Sequence, residues 1–361
     1  MRRMTLTFLV ILGALLGGLS WVSAQPAGPQ QFLILRVRFS DMTGFRYDPT
    51  QTQHLFDQVA RHWGRSIAYN NPGGFDLKFV ISPEIALTKK TADYVDSGSD
   101  NSTWNAFVAL ANDAVSNAPA GTKWDGLRGI VVLFADNRPT PSCGFYRGGT
   151  SSSTLSFSPP GAKPITVYVS IVGENSCDPD DRVWGRIAHE VGHNLQNGDT
   201  PSHPSDYNSN FEQMDAEYPA QSGVFEKQSG RAFGAWLPNG KYREVTLSTG
   251  ASVTVLAEEI DPTTHPVPQA VRAYLIFGGR QVYYLVSVRR RVNGDDRDTG
   301  SGLASPTDCN ATQTPRGIPD CGVLIERVVE NGNPAIKDCD SGNCVTRWVQ
   351  VIGNSGNADR L

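Results

Sequence analysis

The stretch DPDDRVWGRIAHEVGHNL, residues 178–195, decides how this chain reads. Asp178 suits a helix N-cap and Pro179 the first helical position, while Asp180 and Asp181 complement the positive end of the helix dipole. Val183, Ile187, Val191 and Leu195 recur every four residues and form one apolar stripe. His189 and His193 are also four apart, on roughly the opposite side of the same helix. Both imidazoles therefore converge on one spot, as two neighbouring ligands of a zinc ion must. Glu190, next to the first histidine, can take a proton from a water activated at the metal, while the metal polarises a scissile carbonyl. The bland reading is an ordinary helix with two surface histidines, but the HExxH spacing seldom arises by chance.

Beyond His193 the chain runs Asn194-Leu195-Gln196-Asn197-Gly198-Asp199. A metzincin-type site turns on a glycine three residues after the second histidine and takes its next ligand three further on. Here the turn position holds Gln196 and the ligand position holds Asp199, with Asn197-Gly198 able to make the turn instead. Asp199 is the first candidate for the third metal ligand, His203 the alternative, and Asp206 a further rival. A gluzincin arrangement would draw on Glu212 or Glu217, but Pro201, Pro204 and Pro219 break the helix that would carry them.

Composition narrows the remaining possibilities. The chain has 361 residues, a net charge of −4, 39% apolar and 19% charged residues, and six His, three of them between 189 and 203. No Lys/Arg-dense stripe exists to neutralise phosphates, so a nucleic-acid partner is not expected. Arg2 and Arg3, the apolar run 6–19 and the small residues Ser23 and Ala24 form an export signal over 1–24. Its removal takes away two cations and no acid, so −4 becomes −6. No other stretch is apolar enough to span a bilayer, and the expectation is a secreted monomer that stays off the membrane. In an oxidising compartment the six cysteines read as disulfides, with Cys339–Cys344, Cys309–Cys321 and Cys143–Cys177 suggested by proximity among 15 connectivities. Asn101 and Asn310 begin glycosylation acceptor triplets.

The pattern divides the exported chain in two. From 25 to 239, strand-like runs at 32–39, 75–81, 129–134 and 164–172 alternate with helical patterns at 54–68, 104–115 and the histidine helix. The run 164–172 alternates as an edge or half-buried strand would. From 240 to 361, short β-type runs recur at 242–247, 252–256, 271–277, 282–288, 323–329 and 348–352, as in a β-sandwich. The expected class is α+β: a mixed twisted sheet with helices, followed by a β-rich C-terminal domain.

Taken in order, these segments resemble secreted zinc metallopeptidases of the immune-inhibitor-A family, which are zincins. Residues 32–41 (FLILRVRFSD) and 71–81 (NPGGFDLKFVI) are similar to the family's first two strands, and 186–195 (RIAHEVGHNL) to its zinc helix. Residues 211–215 (FEQMD) resemble the segment bearing a methionine under the metal, and 224–237, with Lys227, Gly234 and Trp236, the close of that domain. Residues 283–286 (YYLV) and 322–325 (GVLI) resemble the C-terminal β-domain. The resemblance implies a zincin-type catalytic domain and a zinc endopeptidase acting on protein or peptide substrates. His189 and His193 would be ligands, Glu190 the general base and Met214 the floor of the site. Gln196 departs from the family's glycine, and the first strand follows the leader too closely to leave room for an inhibitory propeptide.

Other features carry less. Tyr218 is a candidate hydrogen-bond donor to a transition-state oxyanion, set against a plain packing role. The acidic turns 293–298 and 338–340 offer oxygens to Ca²⁺ without EF-hand spacing, so solvated loops are favoured. His54, His62 and His265 read as structural. The competing function from another class is an exported, non-catalytic binding or adhesion protein whose metal site is structural or degenerate.

Overall fold

The computed structural model describes residues 29–68, 76–94, 100–136, 148–151, 154–174, 180–196, 242–246, 252–255, 266–268, 270–274, 282–290, 321–330, 339–340, 343–344 and 347–354. Strands β1 (Gln30–Arg38) and β3 (Leu127–Phe134) are near-continuous apolar runs, and their interiors are buried on both faces. They pair in parallel, with Ile34 opposite Val131. On the other side of β1 lies β2 (Leu77–Ala86), also parallel, whose alternating burial fits the outermost position in the sheet. A register shift between Ile34 and Arg36 falls where β2 carries Ser82 and Pro83. Proline cannot donate to the ladder, and an outer strand with a bulge tolerates it.

Strand β6 (Ile165–Gly173) runs parallel to β3, and two short strands, β4 (Gly148–Thr150) and β5 (Leu155–Phe157), pair antiparallel with its far side. The sheet order is β2-β1-β3-β6-β4, with β5 beside β6. Of the two readings of this run, edge or half-buried, the structure gives an interior strand whose first residues are only partly buried. Its partners beyond the edge are three-residue segments, too short to show a period.

Helices cover both faces. Helix α1 (Pro49–Ala68) and helix α3 (Asp180–Gln196) share one apolar cluster with Phe32, Ile34, Val131, Leu133 and Val172. Helix α2 (Asp100–Ser116) packs Phe107, Leu110 and Ala114 on the opposite face, against Leu33, Leu35, Val132 and Ile171. Helix α1 begins five residues before the apolar pattern predicts. Asp48 and Gln51 cap it reciprocally: the Gln51 N–H donates to Asp48 Oδ1 at 2.8 Å and the Asp48 N–H to Gln51 Oε1 at 3.0 Å. Pro49 sits at the first helical position, where its missing N–H is harmless.

The later residues contribute β7 (Tyr242–Thr246), β8 (Ala270–Tyr274), β9 (Val282–Arg290), β10 (Cys321–Glu330) and β13 (Arg347–Asn354). They form a five-stranded sheet in the order β13-β10-β9-β8-β7. Only β7 and β8 pair in parallel. Residues 252–255 form no strand, contrary to the pattern there. Strands β11 (Cys339–Asp340) and β12 (Asn343–Cys344) form a separate antiparallel pair with Cys339 directly opposite Cys344, the register a cross-strand disulfide needs. The fold is mixed α+β. No helix among the described residues is long and apolar enough to cross a membrane.

Candidate metal centre

Helix α3 owes its position to the apolar stripe. Val183, Ile187, Val191 and Leu195 are fully buried against α1 and the sheet. The side bearing the histidines is not a free surface, contrary to the bland reading: His189 is 3% exposed, Glu190 7%, and His193 is half-buried. The i, i+4 spacing brings His193 Nε2 to 3.2 Å from His189 Nε2, with the rings nearly perpendicular at 84°. Two nitrogens on one tetrahedral zinc, each roughly 2.0–2.1 Å from it, stand roughly 3.3 Å apart. The observed separation matches. Paired imidazoles also suit zinc chemically, since it accepts borderline nitrogen donors. The residues present thus fit two of the three protein ligands of a zinc hydrolase.

Several bonds hold this helix where it is. Trp63 Nε1 on α1 donates to the Ala188 carbonyl at 2.9 Å, immediately before His189. Ser170 Oγ on β6 donates to the Glu190 carbonyl at 3.1 Å and accepts from Asn194 Nδ2 at 2.7 Å. Arg128 Nη2 donates to the Asn194 carbonyl at 2.9 Å, satisfying an acceptor near the C-terminal end and placing a cation where the helix dipole favours one. None of these four residues stands out from motif reasoning. The available signals were a lone polar residue inside the apolar run 167–172 and an asparagine within a helical pattern, which disfavours it.

A second buried polar group lies at the carboxyl end of β6. Glu174 is fully buried, and its Oε2 accepts from the Arg46 N–H at 2.8 Å. Burial pushes its carboxyl up to about 7, against the opposing pull of the Arg46 and Tyr47 backbone and the Arg36 and Arg46 cations. Arg36 Nη2 in turn donates to the Tyr47 carbonyl at 2.6 Å. Together they fasten the connection into α1 to the ends of β1 and β6. An open cavity of about 820 Å³ lies beside it, walled by Arg36, Phe45, Tyr47, Ser82 and Glu84.

Of the sequence-derived site residues, the structure brings together His189, Glu190 and His193 on one helix. Asp199, His203, Asp206, Glu212, Met214, Glu217 and Tyr218 lie outside the described residues, as do the leader 1–24 and the acidic turn 293–298. Among the described residues no group of three or more His, Cys, Asp or Glu side chains draws together at a metal spacing. His54 is exposed on α1, while His62 is buried with its ring centroid 4.9 Å from Trp63 and 6.1 Å from Trp184. Compared with known proteins, the chain matches no family model and no curated sequence.

Proposed function

We propose that this chain is a secreted, zinc-dependent endopeptidase with a zincin-type catalytic domain, joined to a β-rich C-terminal domain. The observation that carries the proposal is the 3.2 Å approach of the two Nε2 atoms with Glu190 between them in sequence. A zinc ion held by His189 and His193 would supply a Lewis acid and make bound water acidic enough to lose a proton near neutral pH. Glu190 accepts that proton on its carboxylate and passes it to the leaving amine as the peptide bond breaks. Asp199 is the first choice for the third ligand, with His203 the alternative; Met214 is the candidate floor of the site and Tyr218 a candidate donor to the oxyanion, each set against a plain packing role. The peptide substrate would meet the sheet at β4, the last strand on that side among the described residues and packed near α3. A strand edge can pair with an extended peptide. The leader over 1–24 directs the chain out of the cell, and the resemblance to immune-inhibitor-A metallopeptidases points the same way.

The test is hydrolysis of an unfolded protein such as casein by the purified chain. Activity should vanish on chelation, return with zinc and be absent from Glu190→Gln. A zinc-loaded wild type inert on unfolded proteins would instead favour a non-catalytic binding protein.

A further inference from the structure

Ser170 sits at a junction. Its backbone is in register with Val131 of β3 on one side and Thr150 of β4 on the other. Its side chain is wholly buried, and the hydroxyl makes two directional bonds to α3, one to the Glu190 carbonyl and one from the Asn194 amide. Neither bond is needed to complete the helix, whose interior carbonyls already accept from the N–H four residues on. Asn194 also works against the fold locally. Asparagine is a poor helix former, its amide is fully buried, and its Oδ1 has no hydrogen-bond partner among the described residues. An apolar residue there would join the Val191 and Leu195 cluster at no such cost.

The apolar contacts of α3 alone leave its height and rotation loosely fixed, because dispersion and hydrophobic burial are not directional. One residue of slip along a helix moves every side chain by about 1.5 Å and turns it by about 100°. Misplacement by about 1 Å at a reacting centre can cost about 100-fold in rate. The two bonds fall on Glu190 itself and on the residue following His193, the part of the helix where slip would matter most.

We propose that Ser170 and Asn194 are positioning residues, which lock α3 on β6 and so hold His189, Glu190 and His193 at a fixed height against the β4 edge. This rests on the metal-centre reading above. The pair acts through the backbone of α3 and not on the imidazoles themselves, so its loss should show in how the ligands are placed.

The test uses the full chain loaded with Co²⁺, whose visible absorption reports the geometry of its ligands. The double variant Ser170→Ala/Asn194→Leu removes both members of the Ser170–Asn194 bond together, so it should stay folded with a thermal midpoint close to that of the wild type. Its cobalt band should nonetheless shift, its cobalt affinity should fall, and kcat should fall about 100-fold with KM changed far less. Ser170→Thr keeps the hydroxyl and should retain the wild-type band where Ser170→Ala does not, a comparison that stands if the double variant fails to fold. A stable double variant with unchanged cobalt band and affinity would overturn the proposal and leave the metal centre intact. A wild type that takes up no cobalt would overturn both.

Discussion

Replacing Glu174 with glutamine should make the protein more stable at neutral and alkaline pH and leave it nearly unchanged below pH 4.5. In the wild type the carboxyl is fully buried, with the Arg36 and Arg46 cations facing it from β1 and from the connection into α1. Burial outweighs those cations and raises the group from 4.5 to about 7. The folded chain thus keeps a proton that the unfolded chain releases, so stability is fullest below pH 4.5 and is lost as pH rises through 7. At about 1.36 kcal/mol per pH unit the gap corresponds to about 3 kcal/mol, of which about 2 kcal/mol is lost between pH 5.5 and 8.5. Glutamine keeps an acceptor for the Arg46 N–H and does not titrate. Urea unfolding of both proteins across that range reads the difference directly. The two stabilities should diverge by about 2 kcal/mol toward high pH, in favour of Glu174→Gln. Parallel curves, or a wild type that gains relative to the variant, would refute the assignment of burial as the dominant influence on this carboxyl.

Three other substitutions probe the packing. In Gly129→Ala the new methyl would run into the Phe32 ring and press on the Tyr168 carbonyl, so unfolding should show a loss of about 1–3 kcal/mol. Trp63→Phe removes the bond to the Ala188 carbonyl and part of a fully buried ring; a midpoint shift worth about 2 kcal/mol is expected, and under about 0.5 kcal/mol would mean the bond does not hold α3. Lys89→Ala breaks a 2.7 Å ion pair with Asp113 whose lysine side chain is 51% exposed, and stability should stay within about 0.5 kcal/mol.

How legible these features were depends on how local their causes are. The histidine pair follows from helical spacing alone, and β1 and β3 announce themselves as apolar runs because both their faces are buried. The start of α1 was also written locally, in Asp48-Pro49-Thr50-Gln51, but an apolar period cannot register a cap. Strand β6 alternates because Thr166 and Tyr168 are not fully buried near its start, and alternation alone does not separate an edge strand from a half-buried one with partners on both sides. Glu174 and Ser170 are polar residues whose burial is decided by chain segments 128 and 20–24 residues away. Nothing in their immediate neighbours marks them. The proposed third ligand is no easier to read locally, since the choice among Asp199, His203 and Asp206 depends on how the chain continues after His193, and the sequence holds Gln196 where the metzincin pattern has glycine.

The central claim is that His189 and His193 hold a zinc ion for which Glu190 serves as proton acceptor. It is tested most directly by measuring bound zinc and hydrolysis of an unfolded protein on the same samples of wild type, Glu190→Gln and His193→Ala. The account predicts about one zinc per chain in wild type and Glu190→Gln, hydrolysis in wild type alone with at least about 100-fold loss in Glu190→Gln, and little zinc in His193→Ala. Full hydrolysis by zinc-loaded Glu190→Gln, or undiminished zinc in His193→Ala, would contradict it.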